Sequence, residues 1–540
     1  MMQNRIGEVS QLNGSYLSDR NAGTNPFSYF ILTVLGFSFW FFMTVPFASH
    51  RETYWWLAMV QSQPFSQAFG YISSTYRPLA QGATWLGFRF LDPSVFPTSV
   101  LRQTLLQGFV YAMFVLAWWL IYRRAAQPRV FALFAFVTGG VFFSGYVHLF
   151  HVYGMFYIPV VLTLGALLGF HASGTFEKRE VWYALGAALL VFWHPFATAL
   201  FVGFYFGFYL ETFRQRSRAQ HAQAVLILLV CMTAIVGMVV VFPRVATISG
   251  TFPRTAPMPL DTRLFGFLVS YQTNEVNRIA SLVAFVLTQM VIFSMKLSSR
   301  VKLAAVLLVS VLSVVFLLKS LPLLLLWFCA VLIKLLRLRC WSLFFLMFAA
   351  ALLPFGSGIG TPIYVLFAII VATYVTPLGW IQAETALTSI NPRYVVWAIT
   401  ALTIIMLMVR MGINVPIVTK AASPLLSERE RTYQLEIALA WLHNSEYCGY
   451  EIAFTENAGN PIESVESVIE RRNRPPAGFG DVELFWNTVL QCPHAEHTQN
   501  NAGTAIMTFG GLPVAGSSPV FEVKGRYAGD AAVWIRNSQE

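Results

Sequence analysis

Residues Trp182 to Glu211 form one long apolar stretch, which reads WYALGAALLVFWHPFATALFVGFYFGFYLE. It carries no acidic, lysine or arginine residue before Glu211, and Pro195 divides it into apolar pieces of 13 and 16 residues. At 1.5 Å per residue these pieces make helices of about 20 and 24 Å, which is short for a bilayer core of about 30 Å. The stretch predicts a membrane-buried helical hairpin with FWHPF, residues 192–196, at its tip.

Basic clusters flank this stretch on both sides, and by the positive-inside rule such clusters lie in the cytoplasm. The hairpin therefore enters and leaves on the same side, and its tip is expected to form the floor of a cavity, since irregular backbone at that depth needs cover. A single kinked helix is the alternative, and it would put three of the five clusters outside. The clusters are Arg123, Arg124 and Arg129; Lys178 and Arg179; Arg214, Arg216 and Arg218; Lys296, Arg300 and Lys302; and Lys334, Arg337 and Arg339.

The composition places the rest of the chain around this hairpin. With 540 residues, 56% of them hydrophobic, 11% charged and a mean hydropathy of +0.60, the chain cannot be a single soluble globule. Residues 1–424 hold 28 Lys and Arg against 10 Asp and Glu, whereas residues 425–540 hold 8 against 15. The sequence thus predicts two domains, a basic multi-span membrane domain (1–424) and an acidic soluble domain (425–540).

Eleven apolar runs are long enough, or nearly so, to span a bilayer. They predict a mainly α fold, a polytopic transmembrane helical bundle of about 11 spans plus the re-entrant hairpin, with the N-terminus inside and the tail outside. Substantial outer loops are expected at 48–103 and 243–278. Two short runs could instead form a second shallow hairpin around Lys319 and Pro322. The runs are 29–47, 104–122, 130–147, 154–170, 223–242, 279–295, 303–318, 320–333, 341–354, 360–379 and 394–411.

The tail is predicted to be a small α+β domain. Ser427 and Glu430 form a capping-box pattern that opens a helix through about residue 443, and Asp481 is placed to cap a second helix through about 491. Alternating segments near 505–509, 519–524 and 531–536 predict strands. Cys448 and Cys492 are the only cysteines of the tail, so an extracytoplasmic tail favours a disulfide between them.

Glu52 is the acidic residue best placed for chemistry at the outer membrane surface. It lies five residues after the first apolar run, beside two tryptophans and Tyr54, which is expected to bind substrate. A carboxylate partly desolvated by aromatic neighbours suits a general base, although a solvated loop residue next to an interfacial aromatic belt fits the same position. Further along this outer loop, Arg77 opens the segment RPLAQGATWLGFRFLDP, which predicts a helix lying on the bilayer.

Glu52 and the segment Arg77 to Leu79 resemble the GT-C class of polytopic membrane glycosyltransferases, which use polyprenyl-phosphate-linked sugars as donors. The likeness covers about residues 29–218 in layout. It implies that Glu52 is the catalytic acid or base and that Arg77 belongs to the RP motif. Many members carry paired acids after the first span and an acid in the second outer loop, whereas here Glu52 stands alone and that loop reads GYVHLFHVYG. The overall plan is also similar to phage-type serotype-converting O-antigen glucosyltransferases.

The outer loop 243–278 is the other candidate part of the site. Positive charge on the outer side runs against the positive-inside rule, so it calls for a functional explanation. The paired N–H groups of arginine suit a lipid phosphate, although they also suit lipid headgroups in general. Arg254, Arg263 and Arg278 are therefore expected to bind the donor phosphate together with Arg77, and Glu275 lies in a polar segment, 271–278, that would line a sugar pocket.

His148 and His151 lie three residues apart at an outer membrane edge. The favoured interpretations are that they hydrogen-bond sugar hydroxyls or simply line the interface. A divalent metal held with Glu52 is the alternative, and no cofactor is expected. His194 at the hairpin tip is expected to be structural.

These residues predict a multi-pass enzyme of a bacterial inner membrane with a periplasmic C-terminal domain. It would move a sugar from a polyprenyl-phosphate donor to a lipid-linked or surface glycan acceptor such as O-antigen, without a nucleic-acid partner. The alternatives are a polysaccharide polymerase or ligase, for which the outer arginines would matter more than Glu52, and a membrane transporter of lipid or solute. The transporter is disfavoured because the sequence shows no repeat halves and charges within the apolar runs are scarce.

Overall fold

The computed structural model describes residues 78–89, 154–173, 180–241, 278–295, 297–317, 323–357, 365–376, 437–456, 503–510, 518–526 and 529–537, together with residues 430, 434, 435 and 514. Within residues 1–424, which the sequence predicts to be a membrane domain, the described residues are mainly helical. The helices are α1 Pro78–Arg89, α2 Gly154–Ser173, α3 Glu180–Leu190, α4 Pro195–Thr212, α5 Arg218–Val236, α6 Arg278–Ser294, α7 Ser299–Leu317, α8 Leu323–Leu338, α9 Trp341–Ser357 and α10 Val365–Val375.

Seven of the predicted apolar runs fall on helices, namely α2 and α5 to α10. The other four runs, 29–47, 104–122, 130–147 and 394–411, lie outside the described residues, so the count of about eleven spans stays a prediction. Within the described part, two helices are long and apolar enough to cross a membrane, Pro195–Gln215 and Arg218–Val240. Lys319 and Pro322, around which a shallow hairpin was the alternative, are outside the described residues.

Two helix boundaries differ from the sequence prediction for clear reasons. Helix α5 begins at Arg218, before the predicted apolar run that starts at residue 223. Ser217 and Gln220 form a capping box, in which each side chain accepts a hydrogen bond from the backbone N–H of the other residue. Helix α8 continues to Leu338, so Lys334 lies inside a helix and is 2% exposed, not in a solvated loop. Its ammonium group donates to the carbonyl oxygens of Val375 and Thr376 at 3.2 and 2.9 Å, which satisfies the carboxyl end of α10.

The apolar stretch 182–211 lies in two antiparallel helices, α3 and α4. Near the tip, the hydroxyl of Thr198 donates to the carbonyl oxygen of Ala187 at 2.6 Å. At the other end, Glu180 at the start of α3 contacts Tyr205 and Arg216, which lie in and just beyond α4. Both ends of the hairpin are therefore on the same side, and a single kinked helix does not describe this segment.

The predicted length of the second hairpin helix was too short. Helix α4 continues through the 3-10 turn Phe213–Gln215, which gives 21 residues from Pro195 to Gln215. The sequence count stopped at Glu211 because a charge usually ends an apolar run. Here the Glu211 carboxylate accepts hydrogen bonds from the backbone N–H and the hydroxyl of Ser342, at 2.8 and 3.0 Å, so the helix continues past it. The same-side arrangement rests on the pairing of the two ends and not on helix length.

Helix ends that the basic clusters assign to the inner side meet at one end of the bundle. His171 near the end of α2 contacts Cys340, just before α9, and Tyr374 near the end of α10, at 3.2 and 3.3 Å. Glu211 at the end of α4 binds Ser342 at the start of α9. Helix ends that the sequence predicts to lie on the same side of the membrane are therefore close together. That this side is the cytoplasm stays a prediction.

The tail contains a mixed four-stranded sheet in the order β1–β2–β4–β3. Its strands are β1 Glu451–Glu456, β2 Gly503–Phe509, β3 Phe521–Val523 and β4 Ala531–Asn537. Strand β1 is parallel to β2, and β4 is antiparallel to both β2 and β3. The three predicted strands are confirmed as β2, β3 and β4. Strand β1 was missed because Ile452, Ala453 and Phe454 are all buried, which removes the alternation that reveals a half-exposed strand.

A helix covers one face of this sheet. Residues 437–444 are helical, as are residues 430, 434 and 435, which agrees with the helix predicted from Ser427 and Glu430. Leu439 and Leu442 of this tail helix lie in a buried cluster with Met507 and Val533 of the sheet. Asp481 and the second predicted helix lie outside the described residues.

The turn between β3 and β4 is held by a carboxylate. Asp530 accepts a hydrogen bond from the backbone N–H of Gly525 at 3.0 Å and another from the ammonium group of Lys524 at 2.9 Å. The Gly525 hydrogen bond, followed by that of Lys524, lowers the pKa of the Asp530 carboxyl below its ordinary value. The turn is therefore expected to loosen only in acid.

Cys448 is disulfide-bonded, whereas Cys231, Cys329 and Cys340 carry free thiols. Cys492 lies outside the described residues, so its pairing with Cys448 stays a prediction. Cys492 is the one remaining cysteine of the sequence with which Cys448 can pair.

Replacing Gln434 with leucine is expected to lower the free energy of unfolding of the tail by about 2 kcal/mol. The Gln434 side chain is fully buried, and its amide nitrogen donates to the carbonyl oxygens of Gly529 and Val523 at 2.7 and 3.3 Å. Leucine would leave both carbonyls without this donor. Pulse proteolysis of the full-length chain in urea would measure the change. Asn444→Ala is the control, because Asn444 is exposed and its amide bonds only within the helix; its effect should stay below about 0.5 kcal/mol.

Candidate functional site

The predicted surface helix begins on the tip of the hairpin. Helix α1 starts at Pro78, directly after Arg77, and the backbone N–H of Leu79 donates to the carbonyl oxygen of Phe192 at 3.0 Å. Proline suits the first helical position because its fixed φ fits a helix and no N–H is needed there. The contact joins two segments that are more than one hundred residues apart in the sequence. The RPL segment and the FWHPF tip therefore belong to one local structure.

Helix α1 has one covered and one uncovered side. Ala80 is fully buried and Trp85 is 8% exposed, and α1 packs against α2. Leu79 and Leu86 are 53% and 54% exposed. An apolar pair directed away from the protein is what a helix lying on a bilayer needs. The helix predicted here from the sequence is confirmed; its position at a membrane surface stays a prediction.

His194 at the tip holds the start of α4. Its backbone is extended, and its Nδ1 accepts a hydrogen bond from the backbone N–H of Phe196 at 3.2 Å, so the ring caps the helix. An accepting Nδ1 carries no proton, which leaves the proton of a neutral ring on Nε2. The ring is fully buried. The predicted structural role of His194 is confirmed by this cap.

The residues predicted to carry the chemistry lie almost entirely outside the described part of the chain. Arg278 is the first residue of α6, and the structure gives its backbone position only. The structure therefore neither brings the predicted site residues together nor separates them, and their roles stay predictions. The residues outside are Glu52, Tyr54, Arg77, His148, His151, Arg254, Arg263 and Glu275.

Sequence reasoning missed a polar network at the opposite end of the hairpin. The guanidinium of Arg216 donates to both carboxylate oxygens of Glu180, at 2.6 and 3.1 Å, and the hydroxyl of Tyr205 donates to the same carboxylate at 2.8 Å. The two charged side chains are only 7% and 8% exposed. Arg216 belongs to a basic cluster that the positive-inside rule places in the cytoplasm, and that rule does not predict its burial. The sequence carries no local signal for this network, because it depends on the packing of α3 against α4. The Arg216 side chain also donates to the Thr212 hydroxyl at 2.7 Å.

A second set of polar contacts joins α2, α8, α10 and the connection that precedes α9. His171 contacts the Cys340 thiol and the Tyr374 hydroxyl through its two ring nitrogens. The Trp327 indole N–H donates to the Thr376 hydroxyl at 3.1 Å. In the part of the chain that the structure describes, no group of three His, Cys, Asp or Glu side chains could hold a metal ion. These contacts join helix ends, and we assign them a structural role.

The comparisons give no further identification: no protein-family model, no curated protein sequence and no solved structure matches this chain.

Proposed function

We propose that the chain is an integral-membrane glycosyltransferase of a bacterial inner membrane. It takes a sugar from a polyprenyl-phosphate donor and transfers it to a periplasmic glycan acceptor, such as O-antigen or another envelope polysaccharide. The observation that carries the proposal is the hydrogen bond from Leu79 to Phe192 at 3.0 Å. It places the helix that follows the RPL segment on the tip of a helical hairpin, where the sequence expects the floor of an outward-facing cavity.

The surface of the bundle supports the membrane part of this proposal. Large apolar side chains are exposed along α3, α5 and α7; for example, Trp182 is 73% exposed and Leu226 and Leu303 are each 61% exposed. Soluble proteins rarely expose contiguous apolar surface of this kind, and lipid is the environment that favours it. The membrane bundle, the periplasmic position of the tail and the GT-C-like character of the fold are all part of the proposal.

The reaction follows from the chemistry of the proposed residues. An acceptor hydroxyl oxygen attacks the anomeric carbon of the donor, and its proton passes to Glu52. The bond between the anomeric carbon and the phosphate oxygen breaks, and its electron pair leaves with the polyprenyl phosphate. Arg77 and one or more of Arg254, Arg263 and Arg278 hold the departing phosphate, because guanidinium groups bind its oxygens in pairs. Direct displacement with one base inverts the anomeric centre.

Replacing Glu52 with glutamine is expected to reduce the transfer rate at least about a hundredfold, since a general base contributes this much or more. Mass spectrometry of surface glycans from host cells carrying the intact gene, a deletion or Glu52→Gln measures the outcome. Both altered strains should lack one sugar increment on a glycan of full length. Asp92→Asn is the matched control, because Asp92 lies in the same predicted outer loop and has no proposed role.

The alternatives give different results in this experiment. A deletion that collapses the length ladder of the glycan would favour a polysaccharide polymerase or ligase. Unchanged glycans in every strain would contradict the transferase, and a transport assay would then test the transporter. Loss of the increment on deletion with normal glycans in Glu52→Gln would keep the transferase and remove Glu52 as its base.

A further inference from the structure

The connection between α8 and α9 places an arginine at a left-handed position that glycine usually occupies. The backbone N–H of Arg339 donates to the carbonyl oxygen of Leu336 at 3.2 Å, and that of Cys340 donates to Leu335 at 3.1 Å. These two bonds form a Schellman motif, in which the residue after the helix adopts a left-handed backbone. Arg339 has a φ of 55°, and in the described part of the chain it is the only non-glycine residue with a positive φ. A side chain at this position is disfavoured, so the identity of the residue needs a reason.

The positive-inside rule alone does not explain why this residue is an arginine. Arg337 already provides a cation in the last turn of α8, where it suits the helix dipole. Arg300 and Lys302 provide positive charge at the start of α7 from ordinary helical positions. A cation at any unstrained residue would serve the positive-inside rule equally well. The placement of Arg339 therefore points to a need for a guanidinium at this one location.

The surroundings of Arg339 match an amphiphilic anion. Arg337 and Arg339 are both exposed, and in the described part of the chain neither forms an ion pair. Trp341 follows as the first residue of α9, partly buried, and Phe213 beyond the end of α4 is 49% exposed. The ends of α4 and α9 are joined by the bond from Ser342 to Glu211. Two exposed guanidinium groups at a helix end, close in the sequence to the partly buried Trp341, suit a phosphate attached to an apolar chain.

We propose that Arg339, with Arg337, binds the phosphate of an anionic phospholipid headgroup at the inner leaflet. The guanidinium fork donates two hydrogen bonds to phosphate oxygens, which lysine at this position could not reproduce. The lipid chains would lie along the apolar surface next to Trp341. The site rests on the membrane placement in the proposed function and is independent of the transfer reaction.

Lipid binding by the purified full-length chain tests the site. Tetraoleoyl cardiolipin is titrated into the protein in dodecyl maltoside, and the bound fraction is counted by native mass spectrometry. Arg339→Gly and Arg339→Gln are each expected to weaken binding about tenfold, since hydrogen bonds to charged groups are worth at least that much. Arg300→Gln is the matched control, because it removes one exposed inner arginine from an ordinary helical position, and it should change binding less than twofold.

The glycine variant separates a ligand role from a structural one. Arg339→Gly removes the disfavoured side chain from a left-handed residue, so its melting temperature should equal or exceed that of the unaltered protein. Normal lipid binding by Arg339→Gly, an equal loss in Arg300→Gln, or equal binding of phosphatidylcholine would overturn the proposal. Displacement of cardiolipin by millimolar inorganic phosphate would point to a soluble anion and also overturn it. No donor or acceptor sugar is present, so failure of the transferase proposal leaves this result unchanged.

Discussion

Replacing Gly207 with leucine is expected to stop α4 from packing against α9 and to lower the free energy of unfolding by about 3 kcal/mol or more. The contact between α4 and α9 is the most extensive one between described helices. A β-carbon at Gly207 would overlap the backbone carbonyl group of Trp341, which cannot rotate away. One at Gly203 would lie 2.7 Å from the carbonyl oxygen of Phe345 and 2.9 Å from the β-carbon of Ala349. The two glycines are four residues apart and form a GxxxG contact.

Thermal unfolding and gel filtration of the full-length protein in detergent would measure this effect. Gly186→Ala is the matched control, because Gly186 lies on α3 and a β-carbon there has no heavy atom within 4 Å. Alanine at Gly186 should leave stability unchanged or raise it by up to about 1 kcal/mol, since glycine disfavours a helix. Equal melting temperatures for Gly207→Leu and the unaltered protein would show that α4 and α9 are not in close contact.

The α4–α9 contact shows which parts of the fold the sequence can predict. The apolar runs of α4 and α9 and the proline at the start of α4 follow from composition and local chemistry. The GxxxG spacing at Gly203 and Gly207 is also visible in the sequence and marks a close helix contact. The partner helix is not visible, because any apolar helix can face a pair of glycines. Pairing depends on shape at both surfaces, which no single run of residues encodes.

The candidate site also has one part that the sequence predicts and another that depends on tertiary packing. Arg77 and Pro78 predict a helix start, and α1 begins at Pro78. The contact of that start with Phe192 at the hairpin tip is a pairing of distant backbone groups, and neither segment carries a residue type that requires it. The positive-inside rule places Arg216 on the inner side but does not predict that Glu180 and Arg216 are buried. Their burial depends on the antiparallel packing of α3 and α4, which brings opposite ends of the stretch together.

Replacing Glu180 with glutamine is expected to lower the free energy of unfolding by about 3–5 kcal/mol, because it leaves the guanidinium of Arg216 buried without its carboxylate. The Arg216 guanidinium also lies over the rings of Phe208 and Tyr209, at 5.5 and 5.7 Å, so it is held in place and cannot readily turn to solvent. Tyr205→Phe removes one hydrogen bond to the carboxylate and should cost about 2 kcal/mol. Thermal and urea unfolding in detergent would measure both.

A double variant separates the ion pair from its surroundings. Glu180→Leu with Arg216→Met removes both charges and keeps apolar volume, and it should be less destabilised than either single substitution, because no unpaired charge remains buried. A double variant that is destabilised by the sum of the two single effects would show that the charges do not interact across the hairpin. The pair closes the end of the hairpin opposite to the tip, so separation of α3 from α4 there would tilt Phe192 away from Leu79. Glu180→Gln should therefore also weaken amide protection at Leu79 in hydrogen exchange, whereas Gly186→Ala should not.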